Sequence, residues 1–299
     1  MRRGLVWASL ALLVFWVEPG SAAPQTFNTA LPVAEGEFVI REQFLYLEAT
    51  GDAGPAGREL RVLGAVSVLG YGVTGKLAVF GMLPYLDKKL EFETPTGGRL
   101  TRDTAGIADA RLFGRYTVYR DDAPGRTFRI ASFLGLELPT GDDDDADSLG
   151  TLPAPLQLGS GSTDSFGGIV LTWQTLDYQI DVQASYIANT EANGFEFGDI
   201  ARLDASLQYR LWPRELGSGT PAFIYGVLEA NLIRKSENEI AGREDTDSGG
   251  TTLFLSPGVQ YVTRRWIVEG IVQVPLVQDL HGVALEDDFA VRAGFRFKF

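Results

Sequence analysis

An all-β, membrane-spanning antiparallel up-and-down barrel of about 12 strands is the fold class this chain predicts, and three observations predict it. The closing stretch 288–299 alternates. Phe289, Val291, Ala293, Phe295, Phe297 and Phe299 share one parity, while Asp288, Ala290, Arg292, Gly294, Arg296 and Lys298 share the other. In extended chain that gives one greasy face and one wet face, as a strand lying against lipid needs. The opening stretch places Arg2 and Arg3 before an apolar run from Leu5 to Val17, followed by Pro19, Gly20, Ser21, Ala22 and Ala23. That order describes a secretory signal peptide. The third observation is compositional: 35 glycines and the aromatics, with few helix-period runs, point to β structure throughout.

The small residues Gly20 and Ala22 place signal cleavage after Ala22. A membrane anchor is disfavoured because the apolar run falls short of the roughly 20 residues a spanning helix requires. Removing Arg2, Arg3 and Glu18 moves the net charge from -13 to -14, and 299 less 22 leaves 277 residues, ample for one barrel. The expected organisation is a signal peptide at 1–22, a short N-terminal periplasmic segment at 23–36, and the barrel at 37–299. Such acidity argues against nucleic acid as a partner. With no cysteine near the cut, a lipid-anchored lipoprotein is disfavoured, and an exported chain without disulfides must be stable through packing and backbone pairing.

In chain order the predicted strands are 37–49, 59–70, 76–93, 109–118, 126–140, 164–176, 178–186, 202–211, 221–236, 250–262, 266–278 and 288–299. The clearest are central. Tyr178, Ile180, Val182, Ala184 and Tyr186 oppose Gln179, Asp181, Gln183 and Ser185, and Leu203, Ala205, Leu207, Tyr209 and Leu211 oppose Arg202, Asp204, Ser206, Gln208 and Arg210. Ala110, Leu112, Gly114, Tyr116 and Val118 oppose Asp109, Arg111, Arg115 and Thr117. The segments 37–49 and 250–262 alternate poorly, so ten or fourteen strands are the alternatives. An even count returns both termini to the periplasmic side. Short turns at 72–75, 121–125, 177 and 263–265, with 212–220 somewhat longer, are assigned to that side. Residues 50–58, 94–105, 141–163, 190–198, 237–249 and 279–287 are assigned to extracellular loops. Trp173, Trp212 and Trp266 fall near the proposed periplasmic ends, where an interface favours them.

A soluble sandwich would also alternate. Here the apolar faces contain many small Ala and Gly residues, which suit acyl chains better than a second packed sheet. The polar faces carry Arg61, Asp109, Arg111, Arg115, Arg129, Glu137, Asp181, Arg202, Asp204, Arg210, Glu229, Glu269, Arg292, Arg296 and Lys298, and these are the predicted lumen residues. The mixture is too balanced to select one ion sign. Either it lines a hydrated path suited to polar or zwitterionic solutes and small ions, or it pairs across the lumen and braces a barrel that hardly conducts.

Residues 134–168 contain Leu138-Pro139-Thr140-Gly141 at a strand end, and Gly159-Ser160-Gly161-Ser162-Thr163-Asp164 leading into the next strand. Tyr71-Gly72-Val73-Thr74 precedes a strand containing Leu83-Pro84-Tyr85. These features resemble a family of bacterial outer-membrane proteins named for phenol degradation by the meta-cleavage pathway and often labelled as transporters. The resemblance spans residues 30–299. It implies an outer-membrane barrel passing small hydrophobic or aromatic compounds. Pro139 lacks an amide hydrogen and Gly141 permits a bend, so the motif also suits a barrel rim on physical grounds. A phosphate-cradling reading of 159–164 fails, since no lysine follows and the segment enters a strand.

Asp142, Asp143, Asp144, Asp145 and Asp147 form the sharpest charge cluster. Several carboxylates could hold a divalent cation and bridge the loop to anionic headgroups, while a solvated acidic loop is the blander reading. His281 is the sole histidine, and Ser256 is a distant candidate nucleophile for an outer-membrane phospholipase. No serine follows His281, and a base needs its nucleophile within hydrogen-bond reach, so an enzyme is not expected. No cofactor is expected. The expected function is passive passage of small solutes, with a structural or surface-interaction barrel closed by paired charges as the alternative. Expected partners are outer-membrane lipid and lipopolysaccharide, a small-molecule solute, and the barrel-assembly machinery, which would read Phe295, Phe297 and Phe299.

Overall fold

The structure, a computed structural model, describes residues 22–216 and 222–299. The predicted signal peptide, Ala22 aside, and the end of the 212–220 turn lie outside the described residues. Twelve antiparallel strands close into a barrel. They are β1 (Phe38–Ala49), β2 (Glu59–Gly72), β3 (Leu77–Glu93), β4 in two segments (Arg99–Ile107 and Ala110–Ala123), β5 (Arg126–Leu138), β6 (Asp164–Thr175), β7 (Tyr178–Ala188), β8 (Ile200–Trp212), β9 (Ala222–Lys235), β10 (Gly250–Thr263), β11 (Trp266–Leu280) and β12 (Phe289–Lys298). Each strand pairs with its neighbours in sequence, and β12 returns to β1 from Val39↔Lys298 to Glu48↔Phe289. Phe38 and Phe299 complete the seam, each amide donating to the other's carbonyl at 2.9 and 3.1 Å. Closure leaves no unpaired edge, the condition for sheet in hydrocarbon.

Alternation decides which side chain meets lipid. Along β12, Phe295 and Phe297 face out while Arg292 and Arg296 are shielded inside. Aromatic residues gather at the short-turn end: Phe38 stacks on Phe299 at 5.5 Å, Tyr261 lies tilted against Trp266 at 5.3 Å, and Trp173 meets Tyr178 edge-on at 5.6 Å. Trp212 is likewise exposed on this end. Amphipathic rings hold this position at a membrane interface.

Two expectations change. The predicted loop 94–105 is mostly strand, since the chain turns at 94–98 and Arg99–Ile107 pairs back along β3. Above the membrane both strand faces meet water, so apolar alternation is not required there and the segment read as a loop. Arg61 faces outward rather than into the lumen. It lies opposite Glu48 and bonds to it at 3.0 Å, because β2 turns Val62, Val66 and Val68 inward.

The break in β4 follows from Pro84, which has no amide to give to the ladder. Ala108 donates to the Pro84 carbonyl at 2.9 Å and Asp109 turns into the lumen. Its carboxylate accepts from the amides of Thr140, Gly141 and Ser160 at 3.0, 2.9 and 2.7 Å. One buried acid thereby pins both ends of the long loop between β5 and β6. That loop folds over the barrel mouth, burying Leu152, Leu156 and Leu158.

Candidate functional site

The inner wall has two chemistries. From β2 to β6 it presents Val66, Val68, Phe80, Met82, Pro84, Leu86, Phe113, Phe133 and Phe166. Phe80 and Phe113 stack at 4.8 Å, and Phe113 meets Phe133 and Phe166 edge-on at 6.3 and 5.9 Å. From β7 to β12 and on to β1 it presents amides, hydroxyls and ions: Gln179, Asp181, Gln183, Asp204, Ser206, Glu229, Asn231, Gln260, Glu269 and Gln43 are all buried.

The N-terminal segment lies against the polar wall. Expected as a short periplasmic lead-in at 23–36, it instead runs through the lumen, with Ala22, Ala23, Gln25, Phe27, Ala30 and Val33 buried. Glu229 accepts from the amides of Gln25 and Thr26 at 2.7 and 3.1 Å and from the Thr26 hydroxyl. Asn28 donates to Gln183 at 3.2 Å, Thr29 to Asp181 at 3.0 Å, and Ala30 to the Thr172 hydroxyl at 2.8 Å. Arg296 donates to the Pro24 carbonyl, Arg41 and Gln43 to that of Gln25, and Arg115 to that of Leu31. The hydrogen bonds that hold this segment, which has no strand of its own, thus come mostly from lumen side chains. A cavity of about 1230 Å³ remains in the lumen, lined by this segment, by the apolar residues of β2–β6 and by ions that include Lys88, Arg111, Arg115, Glu137 and Arg292.

The ions predicted for the lumen fall into distinct arrangements. Glu269, fully shielded, takes Arg41 at 2.8 Å and Arg296 at 2.9 Å. Arg111 pairs with Glu137 at 2.6 Å, and Arg202 with Asp204 at 3.0 Å. Arg210 turns to Asp177 at the rim rather than across the lumen. Arg292 is held by the neutral amide oxygens of Gln273 and Gln43 at 2.7 and 3.2 Å. Arg115 lies over the Phe80 ring at 4.8 Å, a favourable cation–π placement. Asp181 and Glu229 spend their oxygens on the N-terminal segment and its neighbours.

The acidic loop does not assemble a metal site. Asp143 accepts from Asn193 at 2.7 Å, Asp145 from Thr104 at 2.6 Å, and Asp147 from Arg102 at 2.8 Å. No group of three histidine, cysteine or acidic side chains converges among the described residues. Asp142 contributes its backbone carbonyl, to the amides of Leu158 and Gly159. Asp143, Asp145 and Asp147 point to different protein partners because the loop is a folded cap. In that cap Arg102 holds the Asp147 carboxyl below the usual carboxylate range. His281 Nδ1 lies 3.1 Å from Glu237 in a loop, while Ser256 faces the lumen opposite Glu229. The pair suggested for a phospholipase is therefore not assembled.

A family described as the MetA-pathway of phenol degradation matches residues 58–270, more than two thirds of the chain. The chain belongs to this family. Among solved structures, this family member is similar to an outer membrane channel from Pseudomonas putida F1. That likeness has a TM-score of 0.68 at 13% identity, covering 93% of this chain and 100% of that one. It is also similar to the β domain of the Bordetella autotransporter BrkA, with a TM-score of 0.45 at 13% identity, covering 89% and 100%. The first likeness speaks to the fold, and the second is too remote to add to it. No curated protein matches. The phenol-degradation family assignment, with the closed barrel, places the chain in the outer membrane.

Proposed function

We propose that this barrel is a passive conduit for small solutes whose favoured cargo is hydrophobic or aromatic. One observation carries the reading: the N-terminal segment takes up much of the polar half of the lumen, and the aliphatic and aromatic side chains of β2–β6 lie bare along the space left open, beside the ions Lys88, Arg111, Arg115 and Glu137. A polar solute would find the amides and ions of β7–β12 already engaged. An apolar one would meet Val66, Val68, Phe80 and Phe113, where burial is worth roughly 25 cal/mol per Å² of apolar surface. The name of the similar Pseudomonas putida protein, an outer membrane channel, agrees with passage rather than catalysis.

The short-turn end is taken as periplasmic, and the capped mouth as the outer face meeting lipopolysaccharide. Phe295, Phe297 and Phe299 form the lipid-facing end that the barrel-assembly machinery would read. The test is uptake of N-phenylnaphthylamine by cells with intact lipopolysaccharide, which excludes this dye. Cells carrying the protein should take it up faster than cells without it, and equal rates would refute the proposal. The rival reading, a brace with a closed lumen, is favoured by the Arg41–Glu269–Arg296 cluster, and it predicts equal rates and no unitary current.

A further inference from the structure

Most ions along the apolar wall are answered by the protein itself. Arg111 and Glu137 bond to each other at 2.6 Å. Lys88 donates to the carbonyls of Pro155 and Gln157 in the loop over the mouth. Arg115 is different. It is 7% exposed and lines the cavity, yet among the described residues no carboxylate bonds to it. One terminal nitrogen donates to the Leu31 carbonyl at 2.7 Å, and the guanidinium lies over the Phe80 ring. Asp181 acts on it from farther off, but that carboxylate is taken up by Thr29, Thr172 and Gln179. A guanidinium carries five N–H donors in a planar fork, so most of this one's capacity is unspent beside the cavity.

Its neighbours are aromatic. Arg111, Phe113 and Arg115 share the inner face of β4, so guanidinium groups bracket the Phe113 ring. Arg111 lies 5.7 Å from the centre of the Phe166 ring and Arg115 lies 4.8 Å from that of Phe80. Phe113 and Phe166 are half-buried and leave ring surface to the cavity, whereas Phe80 and Phe133 are buried. Successive inward residues of a strand stand roughly 7 Å apart, the reach of a benzene ring bearing a carboxylate.

We propose that Arg115 and the Phe113 ring form a subsite for an aromatic carboxylate, so that cargo is selected for one acidic group as well as for its ring. This rests on the conduit reading above and narrows it. The cargo's ring covers Phe113 and Phe166, offset or edge-on as aromatic pairs prefer, and its carboxylate takes the free edge of the Arg115 fork. Arg115 thereby gains the counter-ion that the fold withholds. An ion pair shielded from bulk water holds only where both partners are well hydrogen-bonded, which the fork provides. A neutral aromatic of the same shape covers the guanidinium without satisfying it, and an unmade hydrogen bond is costly there. Arg111 does not serve in this way, since Glu137 already engages it.

Competition with dye uptake tests the subsite. Benzoate and benzamide have nearly the same shape and differ in charge. In cells that take up N-phenylnaphthylamine through the parent protein, benzoate should halve the rate at about one tenth of the benzamide concentration. Cells without the protein supply the blank for effects on the cell itself. Arg115→Gln should bring the two concentrations together, and taking their ratio within one variant cancels any change in the dye's own rate. Where heat-dependent gel mobility shows that Arg115→Gln does not fold, Arg115→Lys keeps the charge, loses the fork and should still lower the preference. Equal competition by the two compounds in the parent overturns the subsite while leaving the conduit intact. So does a preference that the folded variant leaves unchanged. No dye uptake by the parent would instead remove the conduit, and the subsite with it.

Discussion

Strands β7 and β8 and strands β2 and β3 span the same bilayer with opposite inner walls. In the first pair, Gln179, Asp181, Gln183, Asp204, Ser206 and Gln208 line the lumen and the lipid face is apolar, so the contrast between faces is sharp. In the second pair, Val66, Val68, Phe80, Met82 and Pro84 line the lumen, and Leu69, Val79 and Leu83 face lipid. Both faces are apolar there and the contrast fades. Strong alternation therefore marks where the wall is polar and already occupied, and weak alternation marks where an apolar solute could lie. Pattern strength across the barrel is itself a map of the lumen.

The comparison breaks most readily at the N-terminal segment. Without residues 23–33 the polar half would be uncovered and hydrated, and single-channel conductance should rise several-fold. Unchanged conductance would mean that the segment does not limit the path.

Next in size is Glu269→Ala, which leaves Arg41 and Arg296 facing each other without their shared carboxyl. Removing one partner from a buried ion cluster costs roughly 3–5 kcal/mol, so the urea midpoint of the refolded barrel should fall clearly. The apolar wall offers a test of another kind. Phe113→Gln is the counterpart there. It interrupts the aromatic cluster and should slow dye uptake while leaving small-ion conductance close to that of the parent.

The smallest effect is expected outside both walls. Asp52 accepts from the Arg58 amide at 2.7 Å and from its guanidinium at 2.7 and 3.1 Å, and that guanidinium holds its carboxyl well below the usual carboxylate range. A depressed native pKa stabilises above the unfolded value of about 3.9 and is lost only as pH falls through the native one. Amide protection in 50–58 should thus stay constant from about pH 7 to about pH 4, and Asp52→Asn should reduce it at neutral pH.

Much of the barrel was legible because lipid outside and water or polar groups inside impose a period of two. The strand at 37–49 read poorly for two physical reasons. Glu42 interrupts its lipid face, and Val39, Leu45 and Leu47 enter its inner face. The strand at 250–262 read poorly because Phe254 and Val262 are buried inside, with Pro257 and Gly258 between them. The lumen ions were legible from parity, with Arg61 misassigned where an apolar inner wall left parity ambiguous. The N-terminal segment was not legible. Residues 23–36 carry no alternation and no motif, because their partners are Gln260, Glu229, Gln183, Asp181 and Thr172, which lie far along the chain. A cue was present in the excess of buried Gln, Asn, Thr and Ser at inward positions, more than the strand ions could satisfy. Nor could sequence show that Asp143, Asp145 and Asp147 are separately engaged, since Asn193, Thr104 and Arg102 reach them only once the loop has folded over the mouth.

The central claim is that the open part of the lumen belongs to apolar solutes. The most direct test is the rate of N-phenylnaphthylamine uptake through intact lipopolysaccharide, set against swelling of proteoliposomes in a sugar of similar size. The structure predicts rapid dye uptake with slow swelling. Rapid swelling with no gain in dye uptake would contradict it.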